Sequence, residues 1–594
     1  MASAFFSFEP YDCGRVHDVQ APLKNCETNG GLTKGEETQL FGSEDWGDLD
    51  YICSQYASYE DSIPRKEVIL SDEEDQQQPF SDFGMLDDFQ FIIDSPPFQA
   101  PDESVTLDSV LTELSDFVEP KNERQYPTTL GSLELLNEYK SGYNKMNVGR
   151  INENHHEPCK VVDDQRLSTE EVMRVAGAQY IQFSVRNDDH LSMLSHPFSC
   201  AFSGLGREET NDVELASLLL ASAEKIGNQQ YDRASKLLTQ CAYLSSSTGN
   251  PVQRVSFYFA EALQERLNRE TGRISFKGGK KGRQRMEFGV AIDFEEGQMT
   301  PSSAHLECHQ KIPFCQVLQF PGVQAIVESV ALARKVHLVD LGIQAGIAWT
   351  VLMQALAARH ECPVELFKLT GIGTDEQEIQ DTGKRLANFA ESMGLPFSFK
   401  AIIVSNMDDL KEELFDVTED EAIAVYSPFV LRTMLTRSER LDSLMRVIRN
   451  LNPCLMVVTE IEGCHNSPSF FNRFIECLFF YSAFFDCLEA CMDRNNQNRI
   501  TTERHYFGQG IMNIVATEGE ERTFRHVGIN VWRAFFARFG MVEIEFSHSS
   551  LYQANLIRKQ FACGSLCTLD MNKKCLTVGW KGTPLHSLSV WKFH

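Results

Sequence analysis

The chain has 594 residues, 42% of them hydrophobic, and a formal net charge of −29. That length furnishes roughly two to four domains around a sizeable core, and the charge excludes a molecule that grips phosphates through a general positive field, so any nucleic-acid contact has to be local. No apolar run approaches the ~20 residues needed to span a bilayer, and MASAFFSFEPYDCG lacks the charged-then-apolar pattern of a signal peptide; a soluble, intracellular protein without membrane contact is expected.

The acidity is concentrated. Residues 1–126 hold 28 Asp and Glu against 7 Lys and Arg, which is 21 of the 29 net negative charges. Phe80, Phe83, Phe89 and Phe91 are interleaved there with Asp82, Asp87 and Asp88. Apolar surface is too sparse to offset chain entropy, so 1–126 is expected to be disordered. It reads either as a solvated tail or as an acidic, aromatic-bearing segment that docks on a partner, with Leu107, Leu111, Leu114 and Val118 forming the apolar face on docking. Residues 127–206 are expected to be linker with one helix. That helix is STEEVMRVAGAQYIQF, opened by the Ser168–Glu171 capping box.

A folded region is expected over 207–594, beginning with a helical cap at 211–275. Asn211 and Glu214 suggest another capping box, followed by a helix whose Leu215, Leu218 and Leu219 are spaced as LxxLL. Such a stripe is either the core of a helical layer or a face presented to a partner's groove. A second helix carries Ala234, Leu237, Leu238, Cys241 and Leu244 on one face. Asn250 and Pro251 cap a third. Next comes FKGGKKGRQR, a glycine-rich loop with Lys277, Lys280, Lys281, Arg283 and Arg285. It reads as a solvated loop, a nuclear import signal or a patch that contacts phosphates.

From 320 to 594 strands alternate with helices. Val336–Arg359 reads as strand, glycine turn and helix. Further strands are predicted at 364–370, 397–404, 422–426 and 455–459, and a long helix at 469–490. The C-terminal part is predicted to hold a strand at 542–546, a helix at 552–561 and a two-strand pattern at 566–569 and 575–580. The predicted fold class is α/β: a Rossmann-like, methyltransferase-like doubly wound sheet with an α-helical cap, closed by an antiparallel hairpin.

Such a sheet binds ligands at the carboxyl ends of its strands, which makes Asp340, Gly342 and Gly346 the first place to look. Gln344 and Ala345, however, stand where a tighter glycine turn would help. The second strand ends Leu369-Thr370-Gly371, and the first acid after it is Asp375, whereas nucleoside cofactors want a carboxylate on the ribose hydroxyls at that point. There is no nucleophile elbow, metal-binding helix or P-loop. The 17 cysteines contain no CxxC pair; Cys487 and Cys491 share a helix face and Cys563 and Cys567 flank a turn, without a histidine to complete metal-ligand spacing. Buried, reduced thiols are expected. No catalytic, cofactor-binding or metal residue is assigned, and Asp340 is expected to hold the fold together through hydrogen bonds.

These residues resemble the plant GRAS family of transcriptional regulators. Val336, His337, Leu338, Val339 and Asp340 are similar to its VHIID motif, flanked by leucine-rich stretches at 213–267 and 410–451. Pro468, Phe471, Arg473, Glu476 and Tyr481 resemble the PFYRE motif, continued through Glu518, Gly519, Arg522 and Arg525. Trp532, Trp580, Ser589 and Trp591 resemble the SAW motif, with Val590 in place of its alanine. The motifs follow in the family's order over 210–593. No DELLA sequence stands in the acidic region; GSEDWGDLDY and STEEVMRVAGAQYIQF resemble the Required for Arbuscule Development group of symbiosis regulators. The resemblance implies a nuclear regulator without a cofactor that pairs with other GRAS proteins and with DNA-binding transcription factors, DNA being contacted directly or through them. It implies a partner contact at the LxxLL leucines and C-terminal packing by Trp580 and Trp591. A methyltransferase using an S-adenosylmethionine-type cofactor is the alternative from another class.

Overall fold

The computed structural model describes residues 129–141, 146, 167–186, 205–272, 301–405 and 407–594. The acidic region and the basic loop with Lys277, Lys280, Lys281, Arg283 and Arg285 lie outside them. The first helix, α1 (Thr129–Ser141), falls within a stretch that reads as polar linker. Leu136 is buried and Tyr139 half-buried on it, and the Tyr139 ring stacks on Phe479 at 4.0 Å. So few apolar positions leave little helical signature, and the helix owes its place to packing rather than to its own pattern.

Helix α2 (Thr169–Arg186) begins with the expected reciprocal cap: Glu171 N donates to Ser168 Oγ at 3.3 Å and Ser168 N to the Glu171 carboxylate at 2.7 Å. The next cap differs from expectation. Helix α3 (Arg207–Gly227) starts four residues before Asn211, and Glu209 reaches back to accept from Gly206 N at 2.8 Å. Glu209 stands three residues after Gly206, the position from which a side chain reaches back to the N-cap N–H. Helices α4 (Tyr231–Leu244) and α5 (Pro251–Glu270) complete the cap, the latter with the predicted Asn250 cap, which accepts from Gln253 N at 2.9 Å. Two further helices, α6 (Pro301–Lys311) and α7 (Pro313–Ser329), lead into the sheet.

The alternating part runs β1 (Lys335–Asp340), α8 (Ile347–Ala357), β2 (Leu366–Gly373), α9 (Glu376–Ser392), β3 (Phe397–Ile403), β4 (Glu421–Pro428), α10 (Ser438–Leu451) and β5 (Leu455–Ile461). These strands pair in parallel in the order β3-β2-β1-β4-β5, so the winding reverses between β1 and β4. Successive residues of the central strands feed opposite faces, as the period of two requires. Leu338, Ala424 and Val457 join the core shared with the cap, whereas Val339, Val425 and Met456 join a second core under α10. The doubly wound, Rossmann-like class is the observed one.

Helix α11 (Phe470–Cys491) then crosses the cap, followed by α12 (Gln497–Thr502), a π turn at Glu503–Gly508, α13 (Gln509–Val515) and α14 (Ile529–Arg538). The chain ends with β6 (Met541–Ile544), α15 (His548–Gln560), β7 (Cys567–Asn572), β8 (Cys575–Trp580) and β9 (Thr583–Phe593). The two-strand pattern is therefore three strands. β9 is antiparallel to β5, with Met456 opposite Trp591, and it carries β8 along one half of its other edge and β6 along the rest. All twelve cysteines among the described residues are free thiols, and the Cys491 and Cys563 sulfurs approach to 2.7 Å.

Candidate functional site

The carboxyl end of β1 is closed by its own side chains. Asp340 is buried, and each carboxylate oxygen has a donor: Gly342 N at 3.0 Å and the Trp349 indole N–H at 2.8 Å. Burial raises its pKa to about 6, against the pull of those two donors. Gly346 adopts a left-handed conformation (φ 66°) that admits glycine without penalty and starts α8. The two carbonyls before it are taken by α9: Thr382 Oγ1 donates to Gln344 O and Arg385 Nη2 to Ala345 O, both at 3.0 Å. After β1 the chain is also tied to both neighbours, Leu341 N to Tyr426 O and Ile343 N to Ile372 O. Ile343 fills the space over Gly371, where an added Cβ would lie 2.8 Å from it.

β2 runs on to Gly373, three residues beyond its predicted end, which puts Asp375 just past the strand. Asp375 caps α9, accepting from Glu378 N at 2.9 Å. Within β1, His337 is fully buried between Glu421 (3.0 Å from Nδ1) and Thr370 (2.8 Å from Nε2). Burial, reinforced by Lys368, lowers its pKa to about 4. A neutral ring that donates from Nδ1 and accepts at Nε2 satisfies both contacts, which makes it a cross-strand brace over β1, β2 and β4.

On the far side of the winding reversal lies a cavity of about 400 Å³. Its floor is the end of β4, β5 and β9, represented by Phe429, Ile461 and His586; α11 and the π turn wall it with Phe480, Phe484 and Phe507. Arg432 enters from the loop after β4. It donates through Nε to Phe429 O at 3.2 Å and through Nη1 to His526 Nε2 at 3.0 Å, and it lies 4.9 Å from the Phe524 ring centre. Because arginine only donates, His526 carries its proton on Nδ1 and donates from there to His465 Nδ1 at 2.8 Å. One cation thus fixes two histidine tautomers in sequence.

The profile of the GRAS domain family matches residues 215–592. This chain belongs to the GRAS domain family. It is 33% identical over 393 residues to the DELLA protein RGL1 of Arabidopsis thaliana, covering 66% of this chain and 72% of that one. It is 30% identical over 386 residues to the DELLA protein GAI1 of Vitis vinifera, of which it spans 62%, less than two thirds. Among solved structures it is similar to SCL7 of Oryza sativa, with TM-score 0.54 and 26% identity, over 64% of this chain and 99% of that one.

The motifs of this GRAS protein bear on packing. Val336, Leu338 and Val339 are buried in β1 alongside His337 and Asp340. In the PFYRE-like block Pro468 is exposed, but Phe471 and Tyr481 are buried. Arg473 donates to Ile514 O at 3.2 Å, to Ser467 O at 2.8 Å and to the Glu518 carboxylate, clamping the start of α11 to the end of α13. Glu476 accepts from the Tyr139 hydroxyl, and burial raises its pKa to about 7. In the SAW-like block Trp580 donates to Asp486 at 2.8 Å, Trp591 to Ser589 at 2.9 Å, and the Trp591 ring packs on Phe536 at 4.6 Å. Trp532 is buried on α14 itself, with its indole N–H unpaired. Leu215 and Leu219 are buried in the cap and Leu218 is half-buried, so a partner reading all of LxxLL would have to displace core packing. Arg432, His526 and His586 carried no signal in the sequence, because three separate segments bring them together.

Proposed function

We propose that this GRAS protein is a nuclear transcriptional regulator acting through protein–protein contacts with other GRAS proteins and with DNA-binding transcription factors, DNA being reached directly or through them. The family consists of plant transcriptional regulators. The observation that carries the reading is the internal use of both acids at the switch end of the sheet: Asp340 holds Gly342 and Trp349, and Asp375 caps α9. Asp340 spends both oxygens inside the fold and Asp375 one on the start of α9, which weighs against a ribose acceptor of methyltransferase type. The acidic, aromatic-bearing residues 1–126 supply the recruiting segment, and the basic loop at Lys277–Arg285 supplies import or a local phosphate contact. We place the partner contact on the cap helices, where Tyr243 and Leu244 are exposed at the end of α4 and Leu218 of α3 is part-buried. Arbuscular mycorrhizal symbiosis or plant development is the programme suggested by the resemblance of the N-terminal segments.

The test is a reporter assay in plant cells comparing the full chain with a chain lacking residues 1–126, both followed for nuclear accumulation. Loss of the reporter response with nuclear accumulation retained supports the reading. An undiminished response assigns the protein to a scaffold without an activation segment.

A further inference from the structure

The cavity beyond the winding reversal contains two polar groups that the protein itself leaves unmatched. His586 is 7% exposed and sits on β9 among the rings of Phe314, Phe429 and Phe484, at centroid distances of 5.3 to 5.6 Å. Its Nδ1 is buried without a hydrogen-bond partner, a costly arrangement unless something else supplies the bond. Arg432 is the second group. Its Nε and Nη1 are engaged as described, yet among the described residues no carboxylate lies within ion-pair distance of its guanidinium and Nη2 has no partner. The nearest acid, Glu460, accepts from the Arg432 backbone N–H at 3.3 Å instead. Glu460 is the electrostatic neighbour of this half-buried cation, but its carboxylate is spent on backbone N–H groups, so the guanidinium still presents Nη2 to an anion.

The rest of the enclosure sets the size and character of that anion. About 400 Å³ lies within the roughly 300–1,000 Å³ of small-molecule sites and holds one compact molecule. Phe480, Phe484 and Phe507 give it apolar walls. One wall is the π turn at Glu503–Gly508, a distortion that concentrates at functional sites. Beside it Gly510 lets the Tyr481 hydroxyl come so close that a Cβ there would lie 1.9 Å away. Arg437, Arg440 and Glu520 also line the cavity; its aromatic walls suit a single carboxylate on an apolar body, and the acid Glu520 disfavours a multiply charged phosphate.

We propose that this cavity is a binding site for a small amphipathic carboxylate, its anionic head on Arg432, its apolar body between the phenylalanines of α11 and the π turn, and a hydroxyl or carbonyl of that body on His586. The site is separate from the β1 turn and does not rest on the reading of the protein as a regulator.

The test uses the full-length protein and two probes of one shape, naphthalene carboxylate and its neutral amide, titrated by calorimetry. The expected result is that the carboxylate binds about tenfold or more tightly than the amide and raises the melting midpoint, and that a folded Arg432→Gln variant loses this preference. Since Arg432 also braces His526, a second variant, Cys308→Phe, narrows the cavity from α6 without touching Arg432 and is expected to abolish binding of both probes. The proposal is overturned if the wild type binds neither probe, if it binds them equally, if folded Arg432→Gln keeps the preference, or if Cys308→Phe binds as the wild type does.

Discussion

Asp340 illustrates how a ligand-type carboxylate becomes a structural one. In a doubly wound sheet an acid at the end of β1 is the natural partner of a bound nucleoside, and here its two oxygens are held by a backbone N–H and an indole instead. Asp340→Asn keeps the size but turns an amide N–H toward one of those donors. The expected cost is about 1–3 kcal/mol, read as a lowered urea midpoint with an unchanged slope. The role of Asp340 was legible in sequence because strand, turn and helix lie within one short stretch. The pairing of Arg432 with His526 was not, since β5, α11 and α13 intervene between them. A lone histidine in the apolar run of β9 also says nothing of the cavity it faces.

Among the elements, the strands of the parallel sheet were readable because apolar runs bounded by turn residues have few other uses, and their observed bounds differ from expectation by a few residues. Helix α1 and strand β9 were not readable. The first has too few apolar residues to show a period; the second, SLSVWKF, was read only as a motif, although it joins β5 to β8 and β6. Both make definite predictions. Tyr139→Phe removes the hydroxyl that donates to Glu476 while preserving the stack on Phe479, and a loss of about 1–2 kcal/mol is expected, measured by urea unfolding of the full chain. Trp591→Ala opens a cavity between β9 and α14 and is expected to cost about 3–5 kcal/mol; a cost well below that would mean that Phe536 and its neighbours collapse into the gap.

At the scale of the whole molecule, the Rossmann-like fold carries many buried titratable groups that brace strands and helices. They also set the response to pH. Burial holds His305 and His337 near a pKa of about 4 and His465 and His586 near about 3, below the ordinary value of about 6.5. The unfolded chain therefore takes up those protons first, and their contribution to stability is lost as pH falls. Burial raises Asp340 to about 6 and Glu460, Glu462 and Glu476 to about 7. There the folded chain takes up protons first and gains stability as pH falls toward the ordinary value of about 4. The windows overlap, so the urea midpoint is expected to stay nearly level between about pH 6.5 and 4.5 and to drop below about pH 4, where only the histidines still resist protonation. A steady decline from neutrality would show that the raised carboxylates do not offset them.

The switch end of the sheet is tested most directly by calorimetric titration of the full-length protein with S-adenosylmethionine. No binding heat is expected up to millimolar cofactor, because Asp340 and Asp375 are engaged within the fold and Ile343 covers Gly371. Saturable binding in the micromolar range would contradict that expectation, and would return the carboxyl end of β1 to the role of a cofactor site.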